Sequence, residues 1–466
     1  MQCVRGDVPR RRAHPDGGRR ALGPHPRPQR ERGPDRDRGH GPDRGTVPPA
    51  LRLPEQLRRR RDVTRFDVVV RVARLALESS AEGVETLEDS VTKAASAYGL
   101  HVDLVVLPEQ ILLTERSSRE VRQAAVVRAA PGIFRLDQVA AIKRFLVQLQ
   151  RQPIDPDEAC RRLDAIAQSK PRWPAWVRIL GVALFAAGFA PSVVATWGEA
   201  GAAAILGLVI GALVVLTAGR PLEGLVPFFG AFIVTTLALT VMSGLAETTG
   251  VTLMVLPALF IVVPGDTLSA AAEELLGGRL TAGAVRLVSG FLTLGLIVIG
   301  IVAATGATGN GSALAETLPP PELSFVVVLA GWVVFSVGLV LAFNAEPGAL
   351  VWLVPGVIGT FLVQQGVTRL AGAVIGTLVA GTVLGACGNL VGAYPQRPPR
   401  LILLLGGFFV LTVGGVGVRG ATALLGGDIV TGLQNLSDFA LQVPTVALAI
   451  AAGVIVSNHW VRRQVA

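Results

Sequence analysis

Cysteine, charge and aromatic rings are all scarce in this chain of 466 residues. Its three cysteines, Cys3, Cys160 and Cys387, lie more than 100 residues apart, so they build neither a disulfide framework nor a cysteine-based zinc site. Charged residues make up 17% and aromatic residues 5%, against 51% hydrophobic. That balance excludes a disordered chain and an ordinary soluble enzyme. The formal charge of +9 is local: residues 1–65 hold 18 Arg, no Lys and 8 Asp/Glu, so residues 66–466 sum to −1. The folded part therefore has no electrostatic footprint for nucleic acid.

What the chain has is three successive compositions. Residues 1–65 are Arg, Pro, Gly, Asp and His with almost no apolar side chains, and are expected to be a disordered tail because they bury too little to offset the entropy of folding. The absence of Lys also fits a start codon assigned too far upstream. Arg10-Arg11-Arg12 is followed by no apolar run, so a cleaved signal peptide is not supported. Residues 66–171 read as a small α+β domain. Val69, Val72, Ala73, Ala76 and Leu77, then Leu87, Val91, Ala94 and Ala95, predict two amphipathic helices. His101 to Leu107, Ile111 to Thr114 and Val121 to Val127 predict strands, and Leu136 to Leu149 and Asp157 to Ala167 two more helices.

From Trp176 on, cutting the chain at its charges leaves ten charge-free stretches of 18 residues or more: 179–198, 200–219, 224–246, 248–265, 287–315, 323–345, 347–368, 370–396, 401–418 and 439–461. Each is long enough to cross about 30 Å of hydrocarbon as a helix. The fold class is therefore a polytopic α-helical membrane protein of about ten spans. With the N-terminal domain cytoplasmic, ten flanking Lys and Arg fall inside and only Arg369 and Arg419 outside, which puts both termini in the cytoplasm.

The halves echo each other. Leu275-Leu-Gly-Gly-Arg-Leu-Thr-Ala-Gly283 matches Leu424-Leu-Gly-Gly-Asp-Ile-Val-Thr-Gly432 at an offset of 149, and Val262 to Gly265 lies within one residue of that offset from Thr412 to Gly415. Five spans per half is odd, so the second half enters from the opposite face. This predicts a 5+5 inverted repeat, residues 176–304 and 323–461 joined by a linker at 305–322.

Within each repeat the fourth span ends in a breaker. Val263-Pro264-Gly265-Asp266-Thr267 stops a helix and restarts one with Asp266 as expected N-cap; Gly414, Gly415 and Arg419 belong to its partner. Broken helices expose N–H groups that suit a carboxylate and carbonyls that, with an acidic side chain, suit an ammonium. An amino acid carries both. Pro264, Gly265, Asp266, Thr267, Gly414, Gly415 and Arg419 are thus candidate substrate-binding residues. Asp266, Glu346 and Asp428 are candidates for proton coupling, since a carboxylate near a cavity can alternate between charged and neutral states. Val354-Pro355-Gly356 reads as a further breaker, and Asn389, Gln364 and Gln365 as interhelical glue. Gly207/Gly211, Gly372/Gly376 and Gly381/Gly385 predict close helix packing. In the N-terminal domain, His101, Asp103, Ser79, Ser80, Glu82 and Glu85 are the only residues suggesting a hydrolase or metal site, and no second His accompanies them. Neither a cofactor nor a metal is expected, and nothing in the sequence signals an oligomeric state.

Ala76-Leu-Glu-Ser-Ser-Ala-Glu-Gly-Val-Glu-Thr-Leu-Glu88, Leu107 to Thr114, Ala159 to Ile166, Pro171 to Arg178 and Val262 to Gly283, in that order, resemble the bacterial threonine/serine exporter family. The likeness runs from residue 66 to 461. It implies a cytoplasmic-membrane antiporter, not an enzyme, that exports small hydroxylated amino acids on the proton gradient, with membrane lipid, protons and the amino acid as its partners. Val413-Gly-Gly415 departs from the Val-Pro-Gly expected at the ninth span, and residues 1–65 have no counterpart. The alternatives are a membrane-anchored hydrolase, an exporter of another small metabolite, and a passive channel.

Overall fold

A computed structural model describes residues 64–79, 83–117, 120–128, 135–194, 196–242, 251–309, 323–411, Gly420, Ala423 and 429–465. The candidates Gly414, Gly415, Arg419 and Asp428, with nearly all of the tail at 1–65, lie outside the described residues.

The N-terminal domain has a three-stranded antiparallel sheet, β1 (Val102–Leu107), β2 (Gln110–Ser117) and β3 (Glu120–Arg128), in the order β1-β2-β3. Four helices accompany it: α1 (Arg65–Ser79), α2 (Gly83–Ala97), α3 (Leu136–Arg151) and α4 (Pro156–Ala167). The register pairs Val106 with Ile111 and Ile111 with Val127. Those three side chains turn to one face and are buried with Leu87, Val72 and Leu163. Val105, Leu112 and Val126 alternate to the other face and are exposed, as a period of two requires. α4 starts one residue before the sequence pattern suggests: Asp155 accepts the Asp157 and Glu158 N–H groups and Pro156 occupies the first turn.

Then follow α5 (Ala175–Phe189), α6 (Trp197–Thr217), α7 (Val226–Leu237), α8 (Val251–Leu259), α9 (Gly265–Leu276), α10 (Leu280–Thr308), α11 (Phe325–Ala342), α12 (Leu350–Ala371), α13 (Ala373–Ala393), α14 (Arg400–Val410) and α15 (Ile429–Val465). Among the described residues eight helices are long and apolar enough to cross a membrane; the chain is a polytopic helical membrane protein. The fourth and ninth charge-free stretches differ from the other eight. Among the described residues they hold α8 and α14, of 9 and 11 residues, which at 1.5 Å per residue cover about 14 and 17 Å, less than a full crossing. In the fourth, a break at 260–264 separates α8 from α9.

Moving 149 or 150 positions along the chain carries the first residue of α5 onto that of α11 and the last residue of α8 into the last turn of α14. The same shift relates groups that touch. The Phe185 and Phe335 rings lie 4.6 Å apart, and the Phe260 and Phe409 rings 5.3 Å apart. Gly188 and Gly331 are so close that a Cβ on either would fall 2.6 Å from the other's carbonyl oxygen. A Cβ on Gly338 would fall 2.7 Å from the Gly181 carbonyl oxygen. Only glycine permits helix backbones to approach in this way.

Two sequence expectations are corrected here. Pro355 lies inside the unbroken helix α12 and is no breaker, because membrane helices tolerate Pro when neighbouring groups satisfy the freed backbone. Gly372 is not on a packing face: it forms the turn between α12 and α13, with φ 90°, a conformation glycine adopts without strain. The other two pairs do pack, Gly207 and Gly211 against α5, and Gly381 and Gly385 against Ala449 and Ile450 of α15.

Candidate functional site

The break between α8 and α9 is built by Pro264, which supplies no N–H and occupies the N-cap position with φ −81° and ψ 45°. Asp266 is therefore not the cap. It stands in the first turn of α9, where its carboxylate accepts a 3.4 Å hydrogen bond from the Thr267 hydroxyl and faces the positive end of the helix dipole.

Pro264, Asp266 and Thr267 line a cavity of about 270 Å³, which also takes in Arg178 of α5, Glu223, Thr293 of α10 and Phe409 of α14. Asp266 borders a second cavity of about 80 Å³ as well, together with Gly83, Ser269, Glu273 and Arg400. Asp266, Ser269 and Glu273, spaced three and four apart, share one face of α9. Ser269 is 6% exposed, and its hydroxyl has no hydrogen-bond partner among the described residues. The two half-length helices converge beside these cavities, Phe260 just past the end of α8 meeting Phe409 in the last turn of α14.

The far end of α9 is tied to the N-terminal domain. Glu274 accepts the Val84 N–H at 3.1 Å, and its Oε1 lies 3.1 Å from Arg286 Nε. Arg279 donates to Glu88 at 2.9 Å, and Arg400 to the Thr86 hydroxyl at 2.5 Å. Sequence reasoning missed Glu274 as a docking group because its partner is 190 residues away.

Glu346 is placed elsewhere. Its carboxylate receives both guanidinium nitrogens of Arg144, at 2.8 and 3.1 Å, so it joins the loop after α11 to α3 and borders neither cavity. The Arg144 hydrogen bonds hold this carboxyl below the usual range against the opposing effect of burial. A group whose pKa falls on folding stabilises above its unfolded value, about 4.3, and loses that contribution as pH drops through the lower folded value. The pair is about half exposed, so Glu346→Gln should cost no more than about 1 kcal/mol at neutral pH. The wild-type and variant melting curves, followed by scanning fluorimetry, should converge as the pH falls through the lowered folded value of this carboxyl.

The remaining polar groups do structural work. Asn389 donates to Ser457 and Asn458 of α15 at 2.8 and 2.9 Å, and Gln364 donates to the Thr377 hydroxyl at 3.4 Å. In the N-terminal domain, Asp103 is paired with Arg116 at 2.5 Å and Glu85 lies 3.8 Å from Arg279. His101, Asp103 and Glu85 are thus not assembled into one centre.

A family model described as "Putative threonine/serine exporter" matches residues 67–307, more than half of the chain. The chain belongs to the threonine/serine exporter family. A relative in Mycobacterium tuberculosis (strain ATCC 25618 / H37Rv) named "Probable threonine/serine exporter" is 25% identical over 410 residues, covering 84% of this chain and 75% of the relative. No solved structure matches. The family match spans the N-terminal domain, the α8–α9 break and α10, so in this exporter-family chain Pro264, Asp266 and Thr267 fall within the matched residues, together with Arg178.

Proposed function

We propose that the chain exports small neutral amino acids, threonine and serine above all, across the bacterial cytoplasmic membrane. In this reading it is a proton-driven antiporter working by alternating access between two inverted five-helix repeats, with both termini cytoplasmic. The observation that carries it is the meeting of the half-length helices α8 and α14 beside a 270 Å³ cavity that holds both a guanidinium and a carboxylate. Broken helices that converge at a repeat interface are how secondary transporters present donors and acceptors to a small polar substrate.

The paired contacts support the repeat. Residues that a twofold axis exchanges touch each other only where they lie on that axis, and Phe185/Phe335 and Phe260/Phe409 behave in that way. Asp266 borders both cavities and is the coupling carboxylate in this scheme: the larger cavity takes the amino acid, while the smaller holds a few waters, each needing roughly 10–15 Å³. Gly414, Gly415 and Arg419, which lie outside the described residues, are the second repeat's candidates in this reading.

The purified chain in liposomes should drive labelled threonine uphill when a proton gradient is imposed and stop when an uncoupler collapses it. Flux indifferent to the gradient would sink proton coupling. Absence of threonine flux, with or without a gradient, would sink the substrate.

A further inference from the structure

Two cations border the cavities, and they are differently engaged. Arg400, in the smaller one, donates to the Thr86 hydroxyl at 2.5 Å. Arg178, in the larger one, has a fully buried Nε that no acceptor among the described residues meets. No ion pair among the described residues involves it. The charges that reach it are those of Arg135 and Asp137, and these two are already paired to each other at 2.6 Å. Glu223, which lines the same cavity, has Oε2 occupied by the Gly219 N–H at 2.7 Å. A guanidinium carries five donors in a rigid fork and stays charged. Leaving a buried donor of this kind empty is costly, so the cavity is built for an anionic, planar acceptor at that end.

We infer that Arg178 is the anchor for the α-carboxylate of the transported amino acid, opposite Asp266, which takes the ammonium. This rests on the amino-acid reading of the cavity given above. Both groups line one cavity, and a zwitterion offers an acceptor to the one and a donor to the other, whereas a neutral or purely cationic metabolite leaves the fork empty. Carboxylate recognition by Arg is bidentate, so it discriminates by geometry as well as charge.

The test is competition for counterflow of labelled threonine in proteoliposomes containing the full chain, at about pH 6, where the α-amino group of a competitor is protonated. The competitors are unlabelled threonine and threoninamide, which keeps the ammonium and lacks the carboxylate. Wild-type protein should prefer threonine by about 100-fold, the loss expected when a charge-assisted bidentate contact is removed. Arg178→Gln should lose about 10- to 100-fold in threonine affinity and accept both competitors alike. Arg178→Lys keeps the charge without the fork and should fall between, with the preference retained; it stands in if the Gln variant does not fold, judged by monodisperse elution. Wild-type affinity in Arg178→Lys, or an undiminished preference in Arg178→Gln, overturns the assignment alone. Absence of threonine counterflow in the wild type overturns the amino-acid reading, and the assignment with it.

Discussion

Asp266→Asn should abolish gradient-driven export while leaving the protein folded. Asn presents no titratable proton, so efflux of labelled threonine from proteoliposomes should become indifferent to an imposed proton gradient. Replacing a charge-assisted contact to the substrate ammonium by a neutral one costs about 1.5–3 kcal/mol, so the apparent KM should also rise about 10- to 100-fold. The fold has little reason to suffer. Pro264, not Asp266, is the cap of α9, and the Asp266 side chain accepts its hydrogen bonds locally, from the neighbouring Thr267 hydroxyl at 3.4 Å and from first-turn backbone N–H groups. The lost interaction with the helix dipole amounts to about 0.3–1 kcal/mol. A variant that still couples to the gradient at wild-type KM would reduce the break to punctuation between two helices.

The largest effect on stability is expected at the seam between α5 and α11. A Cβ added to Gly188 would collide with the Phe335 backbone nitrogen and come within 2.6 Å of the Gly331 carbonyl oxygen. These are backbone atoms, and no rotamer change relieves such a clash. The helices must separate, and with them the Phe185, Phe335, Phe189 and Trp332 rings that pack across the seam. Gly188→Ala should lower stability by at least about 1–3 kcal/mol, and Gly188→Leu should yield no folded protein in detergent. Gly338→Ala should behave like Gly188→Ala, because its Cβ meets the Phe185 backbone nitrogen and the Gly181 carbonyl oxygen in the same way. The control is Gly295→Ala in α10, where a Cβ meets nothing within 4 Å; relief of glycine's backbone entropy should there be neutral or gain up to about 1 kcal/mol. Equal melting temperatures for Gly188→Ala and Gly295→Ala would show that the seam is looser than its geometry.

Much of the architecture was legible because burial in a bilayer leaves a coarse mark. Charges cannot be carried across hydrocarbon cheaply, so the charge-free stretches located eight full-length helices and the two half-length ones alike. The short apolar run from Val102 to Leu107, closed by Pro108, and the three-four spacing from Val69 to Leu77 likewise located β1 and α1. Hydropathy says nothing, however, about where a helix stops inside an apolar run. Pro264 and Pro355 look alike in sequence, each followed by glycine, yet one opens a break and the other lies within α12. The neighbouring helices that re-bond a freed carbonyl are decided by packing, not by the tripeptide.

The site shows the same division. Pro264, Asp266 and Thr267 could be read as a polar interruption of an apolar stretch, because local backbone chemistry distinguishes them. Arg178 could be read only as one more basic residue at a span end, since its unmet Nε depends on what surrounds it. Glu346 resembled Asp266 in being a carboxylate at a stretch end, and only the fold brings Arg144, 202 residues away, against it. By itself the sequence determined how many charge-free apolar segments there are and where their charges stop, because these follow from the cost of charge in lipid. The tertiary structure alone decided which carboxylates face a cavity and which are neutralised, and which glycines hold a seam, because those depend on contacts between residues far apart in the chain.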